Sequence, residues 1–309
     1  MSRPAIKAYS WFGGKYMFLK YYIRMMGKHS VYLEPFMGSA AVLLNKKAAA
    51  KEYLSDMDAG LVNLMKCIAD KNGLNQLIRE ILYVDYGKEQ FEEAKARMKE
   101  MEQTLEPDGT HIEWAVDVYR SIAYSFNSLR KSYRYTANPF ANCALWNVNE
   151  RLQGVHIQKR DALEILKEIK GGEETVVLLD PPYIEDLMGS KKVYRPAFSM
   201  DDQKTMLDSI RDMDARIILC GYRTPDGAVD KNGNPIPDVY DEGLKEGNDS
   251  KGERRWRCYH VADAKAPSGR SGDKRVLSEY VWMNYDPSLY DPSIKSVMTL
   301  EEYGSLKLD

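Results

Sequence analysis

Apolar and polar residues follow two rhythms along this chain. Short, continuous runs occur at Val31-Tyr32-Leu33, Glu52 to Ser55, Val155 to Gln158, Thr175-Val176-Val177-Leu178-Leu179, Arg216 to Cys220 and Glu279 to Asn284. Runs of that length predict strands, and the unbroken β-branched one at 175–179 predicts a strand buried on both faces. The second rhythm has a period near 3.6. It predicts helices over Tyr16 to Met26, Leu61 to Ala69, Leu74 to Leu82, Lys88 to Gln103, Ile112 to Leu129, Leu163 to Ile169 and Asp201 to Met213. Gly27 is placed as a C-terminal stop for the first of these, and Pro107-Asp108-Gly109 as a turn before the fifth. Lys88 to Gln103 is so charged that a solvated helix is expected there. Strands separated by helices predict an α/β fold.

Composition narrows this picture. A chain of 309 residues, 44% hydrophobic and 29% charged, can bury a substantial core in one large domain with an insertion. No apolar run reaches the length of a membrane span, and Met1 to Ser10 does not read as a signal peptide. Cys67, Cys143, Cys220 and Cys258 are scattered without ligand-like spacing, so neither a disulfide framework nor a metal site is expected, and a reducing cytoplasm is.

Net charge is −2, yet Arg120 to Arg160 carries seven Lys/Arg residues against the single acid Glu150. A basic stretch in a neutral chain is expected where one face meets phosphate. Within it Tyr119, Tyr124, Phe126, Tyr133, Tyr135, Phe140 and Trp146 interleave with Arg120, Arg130, Lys131 and Arg134. Such a mixture can neutralise phosphates while stacking on bases, or it can be an aromatic core under a basic rim. Arg223 to Leu277 is a polar insertion of about 55 residues, long enough to be functional or structureless. Arg254, Arg255, Trp256, Arg257, Lys274 and Arg275 make its second half basic, which fits a second DNA-facing arm.

Asp180-Pro181-Pro182-Tyr183 directly follows the 175–179 strand. In open α/β sheets, ligands sit outside the carboxyl ends of the strands. Two prolines stiffen the turn and remove its N–H groups. The tetrapeptide therefore offers a carboxylate, a rigid carbonyl and an aromatic face, a set suited to the amino group of a flat heterocycle. Nearer the N-terminus, Trp11-Phe12-Gly13-Gly14-Lys15 places paired glycines and a cation before a helix, where an anion can approach. Glu34-Pro35-Phe36-Met37-Gly38-Ser39 follows the first strand and permits close approach of a ligand at Gly38. Asp56 ends the second strand, where an acid can accept from ribose hydroxyls or cap a helix, a role open also to Asp58. Asp161, at a strand-to-helix junction, reads as a cap or as an acceptor for an adenine amino group.

Phe12-Gly13-Gly14-Lys15, Glu34-Pro35-Phe36-Met37-Gly38-Ser39 and Asp180-Pro181-Pro182-Tyr183, in that order, resemble the Dam-like (D12 class) DNA adenine-N6 methyltransferases. Phe126-Asn127-Ser128-Leu129 is similar to that family's Phe-Asn-Gly segment, with Ser128 where glycine is usual. Asp161 is followed by Ala162 rather than Phe, and Ala40 stands where a second glycine is common. The resemblance implies a Rossmann-like methyltransferase sheet formed by 1–60 and 155–309, with a mainly helical target-recognition subdomain inserted at 61–154. It implies S-adenosylmethionine as donor and no metal. Trp11, Gly14, Lys15, Glu34, Phe36, Gly38, Asp56, Asp161 and Asp180 would form the donor site. Asp180, Pro181, Pro182 and Tyr183 would perform catalysis on an adenine flipped out of duplex DNA. Arg120, Asn127, Arg130, Lys131, Tyr133, Arg134 and Phe198 would contact DNA. A cognate restriction endonuclease and a bacterial or phage-infected cell fit the same resemblance. Cytosine-N4 methylation ranks second, methylation of RNA or a protein amide third, and a DNA-binding relative without catalysis is the alternative from another class.

Overall fold

The computed structural model describes residues 5–83, 86–105, 109–141, 143–169, 171–182, 198–224, 233, 238–245, 256–265 and 276–290. Its strands are β1 (Val31–Glu34), β2 (Lys51–Asp56), β3 (Val155–Lys159), β4 (Thr175–Leu179), β5 (Arg216–Gly221), β6 (Arg257–Lys265) and β7 (Val276–Met283). They form one seven-stranded, mostly parallel sheet in the order β3-β2-β1-β4-β5-β7-β6. The α/β expectation holds in that sheet. The chain divides into two compact units, 1–19 with 34–162, and 20–33 with 163–309. Strands β2 and β3 group with the helical segment that separates them.

In the first unit β2 and β3 pair in parallel, with Asp56 opposite Lys159. The helices are α2 (Ala41–Asn45), α3 (Ala59–Ala69), α4 (Lys71–Tyr83), α5 (Lys88–Thr104), α6 (Ile112–Ala123) and α7 (Leu145–Arg151). α3 is buried on nearly every face and packs against α4, α6 and the two strands. Gly60 allows this, since a Cβ there would lie 2.9 Å from the Val118 side chain of α6. Asn63 of α3 holds the start of α6 by exchanging two hydrogen bonds with the His111 backbone. Arg97 of α5 makes a two-point ion pair with the buried Asp117 of α6, at 2.9 Å on each arm. Buried Glu52 joins distant segments by taking Lys46 and both arms of the Arg151 guanidinium.

The predicted helix from Ile112 to Leu129 stops at Ala123. Asn127 and Ser128 beyond it adopt left-handed backbone, which no right-handed helix accommodates.

The second unit carries α1 (Leu19–Met26, its last seven residues), α8 (Ala162–Glu168, from Leu163), α9 (Met200–Ile210) and α10 (Val239–Leu244). β4 pairs in parallel with β1 and β5, while β7 runs antiparallel to β5 and β6. Every residue of β4 and β5 is buried, as their continuous apolar runs require. Buried Arg216 donates to the carbonyls of Glu173, Met26 and Lys28, which satisfies the C-terminal end of α1. Gly27 has φ +61° there, as its predicted stopping role requires.

Part of the 223–277 insertion lies among the described residues. It contributes α10 and the edge strand β6, so residues 257–265 belong to the sheet rather than to a loop or a free arm. Trp256 is buried, its indole N–H donating to the Arg211 carbonyl. Arg254, Arg255, Lys274 and Arg275 lie outside the described residues. Among the described residues no helix is long and apolar enough to cross a membrane.

Candidate active site

In the first unit, three loops meet at the carboxyl ends of β1 and β2. Gly13 (φ +76°) and a Gly14 N–H to Trp11 carbonyl bond fold the first loop back on itself. This brings Gly14 against the second loop, where a Cβ would lie 3.4 Å from Ser39 Oγ. Gly38 is required twice over. Its φ is +46°, and a Cβ would stand 2.9 Å from Trp11 Nε1. The Tyr9 hydroxyl donates to the Gly38 carbonyl at 2.7 Å, and the Tyr9 ring meets Trp11 edge-on. Tyr9 was not singled out by sequence, because its part is played by a hydroxyl on a buried ring that reads as core.

The third loop follows β2. Asp56 Oδ2 accepts the Gly38 N–H at 3.0 Å, and Oδ1 accepts the Asp58 N–H at 2.9 Å. Burial pushes the Asp56 carboxyl up to about 6, and the like charge of Asp58 adds to it; the N–H groups of Asp58, Gly38 and Met57 work in the opposite direction. Asp58 takes the capping role at α3, accepting the Leu61 N–H at 3.1 Å. Asp56 is thereby left to the loop cluster. Asp161 stands two residues past the end of β3, whose Lys159 lies opposite Asp56, so both acids belong to the same edge.

Lys15 is only 5% exposed, its ammonium 3.4 Å from the Gly13 carbonyl. Glu34 is also buried and accepts the Leu43 N–H at 2.8 Å, which serves the first turn of α2. Phe36 is half-buried just beyond β1. The structure thus sets Trp11 against Gly14 and Gly38, and Gly38 against Asp56, while Glu34 serves α2.

In the second unit the buried β4 delivers Asp180, Pro181 and Pro182 to its carboxyl end. Asp180 is partly exposed and Pro181 buried. The Pro182 carbonyl accepts from Gln203 Nε2 of α9 at 2.9 Å, and the Tyr240 hydroxyl of α10 donates to Gln203 Oε1 at 3.4 Å. Tyr240 packs on Trp282, whose indole N–H donates to Asp241 at 2.8 Å. Burial raises the hydroxyl pKa values of Tyr22 and Tyr240, and the charge of Asp180 contributes to both. Tyr183 lies outside the described residues, and Phe198 is half-buried just before α9.

The basic residues expected to meet DNA separate into two kinds. Arg120 is 7% exposed; it donates to the Glu80 carbonyl and lies over the Tyr86 ring, so it belongs to the helical core. Arg130 is turned inward as well, toward Asp58 and Ser121. Lys131 and Arg134 are exposed, beside Phe126 at 50% and Tyr135 at 72% exposure, with Trp146 at 48% starting α7. Tyr133 is half-buried and stacks with Tyr124, and Asn127 is half-buried in the left-handed turn.

A family model for D12 class N6 adenine-specific DNA methyltransferases matches residues 11–224, well over half of the chain. The chain belongs to that family. No curated protein matches it. The matched stretch runs from Trp11 of the loop cluster through Asp180-Pro181-Pro182, so the loop cluster and that turn both fall within it. This adenine-specific DNA methyltransferase is an enzyme, and its substrate is DNA. Among the described residues, no group of three or more His, Cys, Asp or Glu could hold a metal ion.

Proposed function

We propose that the enzyme transfers a methyl group from S-adenosylmethionine to N6 of an adenine flipped out of duplex DNA at a specific sequence. The observation that carries this reading is the Asp180-Pro181-Pro182 turn, fixed at the end of a fully buried strand and braced through Gln203. The loop cluster fits the donor. Gly38 lets its loop lie close against the Trp11 indole, Trp11 supplies a flat face, and Asp56 supplies a carboxylate for the ribose hydroxyls. Asp161 is assigned to the adenine ring of the donor, with Gly14, Lys15, Glu34 and Phe36 around the remainder. When bound, S-adenosylmethionine supplies a sulfonium methyl open to displacement.

The amino nitrogen of adenine is a poor nucleophile, because its lone pair is delocalised into the ring. Asp180 and the Pro181 carbonyl accept its two hydrogens, which holds the nitrogen closer to tetrahedral and localises that pair. Orientation of this kind can contribute on the order of 7–11 kcal/mol. The Asp180 carboxylate also stabilises positive charge as it develops on nitrogen and is placed to accept the departing proton. Tyr183 is assigned to stacking on the flipped base, with Phe198 as second wall. Lys131 and Arg134, among exposed aromatics, are assigned to the DNA strand, with Asn127 and Tyr133 behind them. The 61–154 segment is thus read as the recognition part. A partner endonuclease and a cytoplasmic setting belong to the same proposal.

The test is labelled methyl transfer from S-adenosylmethionine to unmethylated duplex DNA, with nucleoside analysis of the product. N6-methyladenine is expected, and Asp180→Ala is expected to abolish it while sparing DNA affinity. N4-methylcytosine would replace the target base in this reading. Donor binding without transfer to DNA would redirect the search to RNA or protein amides.

A further inference from the structure

The segment between α6 and α7 stores backbone strain without glycine. Asn127 (φ +51°), Ser128 (φ +57°) and Arg130 (φ +57°) are all left-handed. Each costs on the order of 1 kcal/mol or more, and such conformations persist only where the surroundings over-determine them. At Arg130 they do. Its backbone N–H donates to Ser125 Oγ at 3.0 Å and its Nε to Ser121 Oγ at 3.1 Å. Nη1 pairs with Asp58 at 2.8 Å, and Nη2 lies 3.5 Å from Met98 Sδ. Phe126 and Ser132 are tied backbone to backbone, as are Tyr124 and Arg134.

The other end of this arrangement is the third loop of the active site. The Asp58 carboxylate that receives Arg130 also caps α3, and the Asp58 N–H donates to Asp56, whose second oxygen holds Gly38. A continuous run of hydrogen bonds therefore links Ser125 and Arg130 to Asp56 and Gly38, entirely within one compact unit.

We infer that Arg130 is a positioning residue of the donor site: by pairing with Asp58 it sets the Asp56 carboxylate, so the 125–135 segment and the donor site are energetically coupled. The inference rests on the assignment of Asp56 to the donor. Arg130 neutralises the acid nearest to Asp56. Without it, Asp58 stands uncompensated beside a second carboxylate, which disfavours the ionised Asp56 that ribose hydroxyls need. Coupling of this kind is reciprocal, so whatever orders the segment tightens donor binding by the same factor.

The experiment is calorimetric titration of the full chain with S-adenosylhomocysteine, without DNA. Arg130→Met is expected to weaken binding about 10-fold, within the usual range for coupled sites. Asp58→Asn keeps the α3 cap, because Asn caps as well as Asp, and removes the uncompensated charge. The double variant is therefore expected to bind within about 3-fold of Asp58→Asn alone, which a merely structural loss would not produce. Arg130→Lys keeps the charge without the two-armed geometry; it is expected to fall between wild type and Arg130→Met and serves if the latter does not fold. Unchanged affinity in Arg130→Met and Arg130→Lys, or losses that multiply in the double variant, would overturn the coupling. If instead Asp56→Ala binds as wild type does, the donor assignment itself is wrong and the inference falls with it.

Discussion

Gly38 carries two constraints that no other residue meets together. Its φ of +46° strains any side chain, and the Trp11 indole occupies the space where a Cβ would stand. Gly38→Ala is expected to cost about 1–2 kcal/mol from backbone alone, visible as a lower melting temperature, and to weaken S-adenosylhomocysteine binding by at least about 10-fold. Asp56 makes a second residue-level statement, through pH. Its carboxyl is held up to about 6, above its ordinary value, chiefly by burial. The folded state therefore keeps a proton that the unfolded chain has already lost, and this group's contribution to stability falls as pH rises toward about 6. In the proposed role of Asp56 donor binding is expected to have the opposite trend, since the ionised form would accept from the ribose. Affinity for S-adenosylhomocysteine measured by titration calorimetry is expected to drop below about pH 6, and Asp56→Asn to bind more weakly with that dependence flattened.

Elements set how rigidly the catalytic turn is held. The Asp180-Pro181-Pro182 turn has no N–H at either proline, so its bracing must come through a carbonyl, and α9 supplies the donor from Gln203. Gln203→Leu leaves that carbonyl unpaired, at a cost of about 1–3 kcal/mol. Turnover is expected to fall more than donor affinity does, a split that steady-state kinetics with separate binding titrations would show. Gln203 was legible in retrospect: it shares the apolar stripe of α9 with Met206, Leu207 and Ile210, and a glutamine on such a stripe needs a buried partner. Strands β4 and β5 could be read directly, because unbroken apolar runs admit few alternatives. The end of α6 could not. The apolar rhythm continues through Tyr124 and Phe126, and the chain is turned aside by hydrogen bonds that Arg130 donates to Ser125 and Asp58, remote in sequence from one another. Edge strand β6 was missed for a related reason: its sequence, Arg-Cys-Tyr-His-Val-Ala-Asp-Ala-Lys, is polar enough to read as loop.

Across the whole molecule, charge placement matters more than its sum. Composition could not separate Arg120, packed under α4, from Lys131 and Arg134, which face solvent, since all are simply basic residues among aromatics. Their effects on DNA affinity should separate them. Lys131→Ala with Arg134→Ala is expected to make the dependence of log affinity on log salt shallower by about 2, whereas Arg120→Ala leaves that slope unchanged and lowers the unfolding midpoint. The motifs proposed for the site were legible in the sequence. The partners that hold those motifs, such as Tyr9, Asp58 and Gln203, were not, because each acts on a residue far away in sequence.

The family match ends at residue 224, three residues past β5, while the strand that covers β5 on its far side is made only at residues 276–283. A fragment stopped there would present a mostly apolar strand with one row of N–H and C=O groups bare, the kind of edge that recruits other chains. It should be found in the pellet when soluble and insoluble fractions are compared. The growing polypeptide meets the same hazard on the ribosome. About 54 residues separate the two strands, on the order of three to eleven seconds of translation, and for that interval an apolar edge of the nascent enzyme waits for its cover.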